Sequence, residues 1–192
     1  MVQGALSVVA QLPTLTSFPR QYLAEMVGVR LFAMFEAVLE DSACRMVCGA
    51  KYCDGTAPTL RRPNPTRGFE RARHEMLHFG RTKSLQLLRW SRAREIGENL
   101  ALLFPGSEHF VSTVNAHGQF ISDLRKVRNH IAHNNRGTRR RFQEVVRNYY
   151  GASVHSMTPG RMLLSTRFSP ILVEKFCRQT RIVLLSAIKA PP

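Results

Sequence analysis

The run Leu124-Arg125-Lys126-Val127-Arg128-Asn129-His130-Ile131-Ala132-His133-Asn134-Asn135 concentrates the groups of this chain best suited to chemistry on a charged substrate. Arg125 and Arg128 each stand five residues before a histidine, with Asn129 between. An imidazole exchanges protons near neutral pH, and a guanidinium offers a phosphate a planar fork of donors. The surrounding chain carries a formal net charge of +15 over 192 residues. Of its 28 basic residues only Lys51, Lys83, Lys126, Lys175 and Lys189 are lysines, which leaves 23 arginines. An excess of this size favours a polyanionic partner, because bound phosphates relieve the self-repulsion. The combination points to RNA.

Each residue of a helix turns by about 100°. With Leu124 at zero, Phe120, Val127 and Ile131 fall within about 60° of it on one side, an apolar stripe for the core. Arg125, Asn129 and His133 follow one another at four-residue spacing on the opposite side, and Arg128 lies on the boundary. Ala132 is a small residue within the polar side. It leaves room for a close neighbour, most simply a second copy of the same helix, so a homodimer is expected. The bland alternative is a solvated polar helix face.

Arg136, Arg139, Arg140 and Arg141 follow at once. They are candidates for a rim that tracks the RNA backbone, with Tyr149 and Tyr150 available to stack on bases. A solvated basic helix start is the competing reading.

A second motif belongs to another class of chemistry. His74-Glu75-Met76-Leu77-His78 matches H-E-x-x-H, in which two histidines on one helix face grip zinc and the glutamate is a general base. That reading is a metalloprotease. It lacks an evident third ligand beyond Glu95 or Glu98, the spacing to Gly80 does not fit the longer metzincin pattern, and no strand-rich segment precedes it. The histidines His130 and His133 are a weaker metal pair still. Cys44, Cys48, Cys53 and Cys177 form no disulfide framework and contain no CxxC pair, so reduced thiols are expected, with zinc at the first three as the alternative. Neither a metal nor another cofactor is expected.

The elements that must position these groups read as helices. Residues 1–18 form a loosely held lead-in with a helical turn or two, and residues 19–190 form one helical domain. Ser17 and Pro19 start a long helix that ends at Gly49, with Leu23, Met26, Val27, Leu31, Met34, Phe35, Val38 and Leu39 at helical spacing and Glu36 beside that stripe. Residues 55–68 form a stiff basic loop holding Pro58, Pro63 and Pro65 with Arg61, Arg62 and Arg67. Short helices are expected over 69–79 and 91–104, and the motif helix over 108–134 with a break near Gly118. Gly137 marks a loop before a helix over 138–150. Residues 151–166 hold turns and a short hairpin, and the last helix opens at Ser169-Pro170 and ends near Lys189. The fold class is all-α. No positive charge precedes Arg20, Ala5 to Ala10 is too short an apolar stretch for a signal peptide, and no apolar run approaches the ~20 residues of a membrane span. A soluble cytoplasmic protein without a membrane partner is expected.

Arg128-Asn129-His130-Ile131-Ala132-His133 resembles the R-x4-6-H motif of HEPN domains in its R-N-x-x-A-H form. The likeness is close over residues 124–134 and extends to helix order over about 20–188. It implies a HEPN-like helical bundle and a metal-independent endoribonuclease that cleaves single-stranded RNA as a dimer, of the toxin or antiviral-defence type. Carried over, His133 assists attack of a ribose 2′-hydroxyl or protonates the leaving oxygen. Arg128 binds the phosphate and stabilises its growing charge, and Asn129 orients the histidine or the phosphate. Arg125, Arg136, Arg139 and Arg140 hold the substrate, and Glu36 is a candidate acidic support. An antitoxin or other regulatory protein is a further implied partner. Where such toxins carry a tyrosine two residues after the histidine, this chain has Asn135. Modification at that tyrosine is therefore unsupported. The alternative within the same resemblance is a module that binds RNA or a protein without cutting.

Overall fold

The computed structural model describes residues 2–61, 64–78 and 88–189. Among them the regular elements are all helical: α1 (Val2–Gln11), a 3-10 turn (Leu12–Thr14), α2 (Ser17–Val47), α3 (Phe69–His78), α4 (Ala93–Leu100), α5 (His109–Ala116), α6 (Gly118–His133), α7 (Arg136–Tyr150), α8 (Pro159–Leu163) and α9 (Leu172–Ile188). The expected all-α class is therefore observed. None of these helices is long and apolar enough to cross a membrane. Arg62, Pro63 and Phe79, named in the expected loop and helix, lie outside the described residues.

The chain forms two compact units. Unit 1 comprises Met1–Phe35 and Ser122–Arg181, and unit 2 comprises Glu36–Ile121 and Ile182–Pro192. The motif belongs to unit 1 and the H-E-x-x-H segment to unit 2.

Helix α2 starts at Ser17, where the Thr16 carbonyl accepts from Arg20 N–H at 3.1 Å, and Gly49 follows its end at φ 94°, a conformation glycine adopts without a Cβ penalty. Within unit 1 the α2 side chains Ala24, Val27, Leu31, Phe32 and Phe35 are buried. With them Leu124, Val127, Phe142, Val145, Val146, Met162, Leu163, Leu172, Val173 and Phe176 make the core of this unit. The lead-in is more ordered than expected: α1 runs ten residues, and Val9 and Leu12 are buried. Leu23, Met26 and Met34, predicted on the α2 core stripe, are only half-buried and line an apolar groove with Gly4, Ala5 and Val8 of α1.

Three connections differ from the sequence-based expectation. The turn before α7 is Asn134-Asn135, not Gly137. Asn134 takes the left-handed conformation at φ 36°, which asparagine tolerates better than most residues. The Asn135 side chain accepts from the Thr138 N–H at 2.9 Å, and the Thr138 hydroxyl accepts from the Asn135 N–H at 3.1 Å. This reciprocal capping box starts α7 at Arg136 and draws Gly137 into its first turn. Second, residues 151–166 hold no hairpin but a five-residue helix, α8, with Thr158 as N-cap and Pro159 in its first turn. Third, α4 ends at Leu100, four residues before the expected Phe104; Leu103 and Phe104 N–H both turn back to the Leu100 carbonyl ahead of Pro105. The α5–α6 break at His117 falls one residue before the expected Gly118.

Candidate functional site

Helix α6 is held by Leu124 and Val127, both fully buried. The expected stripe is displaced toward one flank. Ile131 is half-buried, whereas His130, which is not one of the stripe residues, is buried at 6% exposure. The cause is α7, which folds back after the Asn134-Asn135 turn. Phe142 stacks on the His130 ring at 4.9 Å with 29° between planes, and Thr138 Oγ1 lies 3.2 Å from His130 Nδ1. The Thr138 hydroxyl also donates to the Asn135 carbonyl at 3.0 Å. With that proton committed, His130 Nδ1–H is the donor to Thr138 and Nε2 keeps the lone pair. His130 is thus a packing residue of the α6–α7 corner.

Burial, with the Arg139 charge in second place, holds the His130 imidazole below its ordinary value of 6.5. The folded protein binds a proton there less readily than the unfolded chain does, so stability rises with pH across this interval. Its contribution is complete above 6.5 and is lost as pH falls from 6.5 toward the lowered value. The melting temperature is expected to fall between about pH 7 and pH 5, and to fall less in His130→Gln. Thermal unfolding of both proteins at constant ionic strength checks this; parallel pH slopes would exclude His130 as the source.

His133 is the last residue of α6 and is exposed, as is Ala132. Arg128 and Asn129 are half-buried and bonded to each other: Arg128 Nη1 donates to Asn129 Oδ1 at 2.9 Å. The Arg128 guanidinium also lies 5.6 Å from the centre of the Phe32 ring of α2. One of its five N–H groups faces Asn129, and the planar head is steadied by the aromatic face, which leaves donors for an anion. Asn129 therefore orients the arginine, a role absent from the two considered for it. Arg128 and His133 are separated by about 140° around the helix axis. A single copy of α6 therefore does not turn both groups to one point. Arg125 is half-buried and engaged within the protein.

Arg136, Arg139, Arg140 and Arg141 are all exposed on the first turns of α7, and that first turn holds no acidic residue. Cations at a helix N-terminus sit against the positive end of the macrodipole. This arrangement costs the folded state a little and is relieved by an anion. The tyrosines expected beside this rim are committed elsewhere. Tyr149 packs on Phe176 at 5.7 Å, and Tyr150 meets Phe168 edge-on at 5.3 Å with Arg167 over its face. Burial, with Asp123 as a secondary cause, pushes the Tyr149 hydroxyl up to about 12. Glu36 is a half-buried residue of unit 2, whereas the motif belongs to unit 1.

Beside the motif turn, unit 1 contains a cleft of 390 Å³ lined by Glu25, His130, Asn134, Arg139, Gln143 and His155, among others. Its acidic member was not singled out from sequence. Glu25 Oε1 accepts from the Gly160 N–H at 2.8 Å across a separation of 135 residues. A Cβ at position 160 would stand 3.0 Å from that oxygen and 2.8 Å from Gln21 Cβ, so glycine is what lets the backbone approach. Thr158-Pro159 marks a cap and a helix start in the sequence, but nothing there points to Glu25 as the partner of Gly160.

In unit 2, His74 and His78 share one exposed face of α3, their ring centres 4.1 Å apart. Glu75 between them accepts from Thr66 Oγ1 at 2.7 Å and lies 3.6 Å from Arg71 Nε. The proposed third ligands are paired too, Glu95 with Arg92 at 3.3 Å and Glu98 with Arg94 at 2.7 Å. Among the described residues no group of three or more His, Cys, Asp or Glu is placed to hold a metal. All four cysteines are free thiols. Burial raises two of them, Cys44 to about 12 and Cys177 to about 11.

In comparisons with known protein families, curated proteins and solved structures, nothing matches this chain.

Proposed function

We propose that the chain is a HEPN-type, metal-independent endoribonuclease acting on single-stranded RNA as a symmetric dimer. The observation that carries this reading is the state of the three motif residues. Arg128 is steadied by Asn129 and Phe32 with donors to spare, His133 is open at the end of the same helix, and an exposed arginine rim follows within the next two turns. In the proposed reaction the ribose 2′-oxygen attacks the adjacent phosphorus and its proton passes to a base. The bond to the 5′-oxygen breaks, and that oxygen takes a proton. His133 serves as one of these proton carriers, and Arg128 stabilises charge on the non-bridging oxygens. The products are a 2′,3′-cyclic phosphate and a 5′-hydroxyl.

A dimer is part of the proposal because Arg128 and His133 diverge by about 140° on one helix. Two copies of α6 packed at the exposed Ala132 would bring one copy's histidine toward its partner's arginine.

The purified chain, incubated with single-stranded RNA in excess EDTA, is expected to cut it and leave cyclic-phosphate ends, while DNA of the same sequence stays intact. Cleavage that stops with EDTA would reject the metal-independent mechanism. Binding of RNA without cleavage of any substrate would replace this reading with the non-catalytic module.

A further inference from the structure

The cleft beside the motif turn has the polarity of a base-recognition site. It offers an acceptor in the Glu25 carboxylate and a donor fork in Arg139, with Gln143 in its wall. Glu25 cannot swing away freely, because the Gly160 N–H holds Oε1 at 2.8 Å; the carboxylate retains lone pairs for further donors. Gln143 donates through Nε2 to the Val154 carbonyl at 3.3 Å, yet its Oε1 is buried without a hydrogen-bond partner. His130, at 6% exposure, closes the inner side, and His155 lies at the exposed side. The volume of 390 Å³ falls in the range of about 300–1,000 Å³ usual for small-ligand sites.

We propose that this cleft binds a guanine base, with the Glu25 carboxylate accepting from its N1–H and N2 amino group and Arg139 donating to O6 and N7. Guanine carries two adjacent donors on one edge and two adjacent acceptors on another, which is the complement of this lining. Adenine and cytosine would each turn a ring-nitrogen lone pair toward the carboxylate beside their single amino group, and uracil offers one N–H only. His130 and Asn134 belong to the same α6–α7 corner as His133. The base is therefore assigned to an RNA strand, next to the phosphate to be cut. That assignment rests on the ribonuclease reading, whereas the pocket does not.

The test is calorimetric titration of the full chain with the 3′-monophosphates of guanosine, adenosine, cytidine and uridine. Guanosine 3′-monophosphate is expected to bind at least tenfold more tightly than the other three. Glu25→Gln should abolish that preference, because its amide nitrogen cannot accept from guanine, while its carbonyl can still hold the Gly160 N–H. Arg139→Ala, at an exposed position, should weaken guanosine binding tenfold and carries the test if Glu25→Gln fails to fold. Equal affinity for the four nucleotides, or an unchanged preference in a folded Glu25→Gln, would overturn the pocket. A uridine hexamer with one guanosine separates the sources of the base. Tighter binding than the free nucleotide assigns an RNA strand, and equal binding assigns a free nucleotide; both support the pocket. Guanine binding without any RNA cleavage overturns the ribonuclease reading alone, and cleavage without a guanine preference overturns the pocket alone.

Discussion

Replacing His133 with alanine is expected to lower the rate of RNA cleavage by about 10²–10⁴-fold, the range over which a positioned acid or base contributes to proton transfer. His133 ends α6 and is open to solvent, so its removal leaves no cavity and should not disturb folding. Its neighbour His130 is the opposite case, stacked on Phe142 and bonded to Thr138. A loss of activity at position 133 with an unchanged melting temperature therefore reports chemistry, whereas a loss at position 130 would mix chemistry with folding. RNA binding should persist in His133→Ala, because Arg136, Arg139 and Arg140 retain the charge that attracts the backbone. Single-turnover cleavage and fluorescence anisotropy on the same RNA make the measurement. Cleavage within threefold of the parent protein would remove His133 from the mechanism and the ribonuclease reading with it.

Replacing Phe142 with alanine is expected to destabilise unit 1 by about 3–5 kcal/mol, the usual result of deleting a fully buried aromatic ring. Phe142 has no exposed surface and is the ring on which His130 rests. Its loss opens a void beside the α6–α7 corner and frees the imidazole that closes the inner side of the cleft. For a chain of this size the melting temperature should drop by roughly 6–20 °C. Differential scanning calorimetry measures the drop. RNA cleavage assayed well below the lowered transition tests whether the corner positions His133. A shift under 2 °C would mean that this corner contributes little to the fold, contrary to the packing described above.

The sequence carried the helical class on its own. Apolar residues recur at three and four along α2 and α6, and Gly49, Gly151 and the Gly118 region mark where helices stop. These are local signals, since helix periodicity and chain breaks depend on neighbours within a few residues. The exposed rim of Arg136, Arg139, Arg140 and Arg141 was equally legible, because runs of charge stay in solvent wherever the helix docks.

The corner around His130 was not legible. Angular position on an ideal helix placed Ile131 in the core and assigned no face to His130, but α7 decides which flank of α6 is covered, and α7 begins at an asparagine turn whose capping box involves three-residue reciprocity rather than periodicity. The same limit hid Glu25. Its partner lies 135 residues away, and no local pattern reports a carboxylate held by a distant backbone N–H. Likewise, the Arg128 guanidinium rests on Phe32, a contact that exists only once α2 and α6 are packed. Residue type and spacing determine which helices form and which groups they carry. Tertiary packing decides which histidine is buried, which is open, and which carboxylate faces the cleft, because each of those outcomes depends on surfaces contributed by segments far apart in the chain.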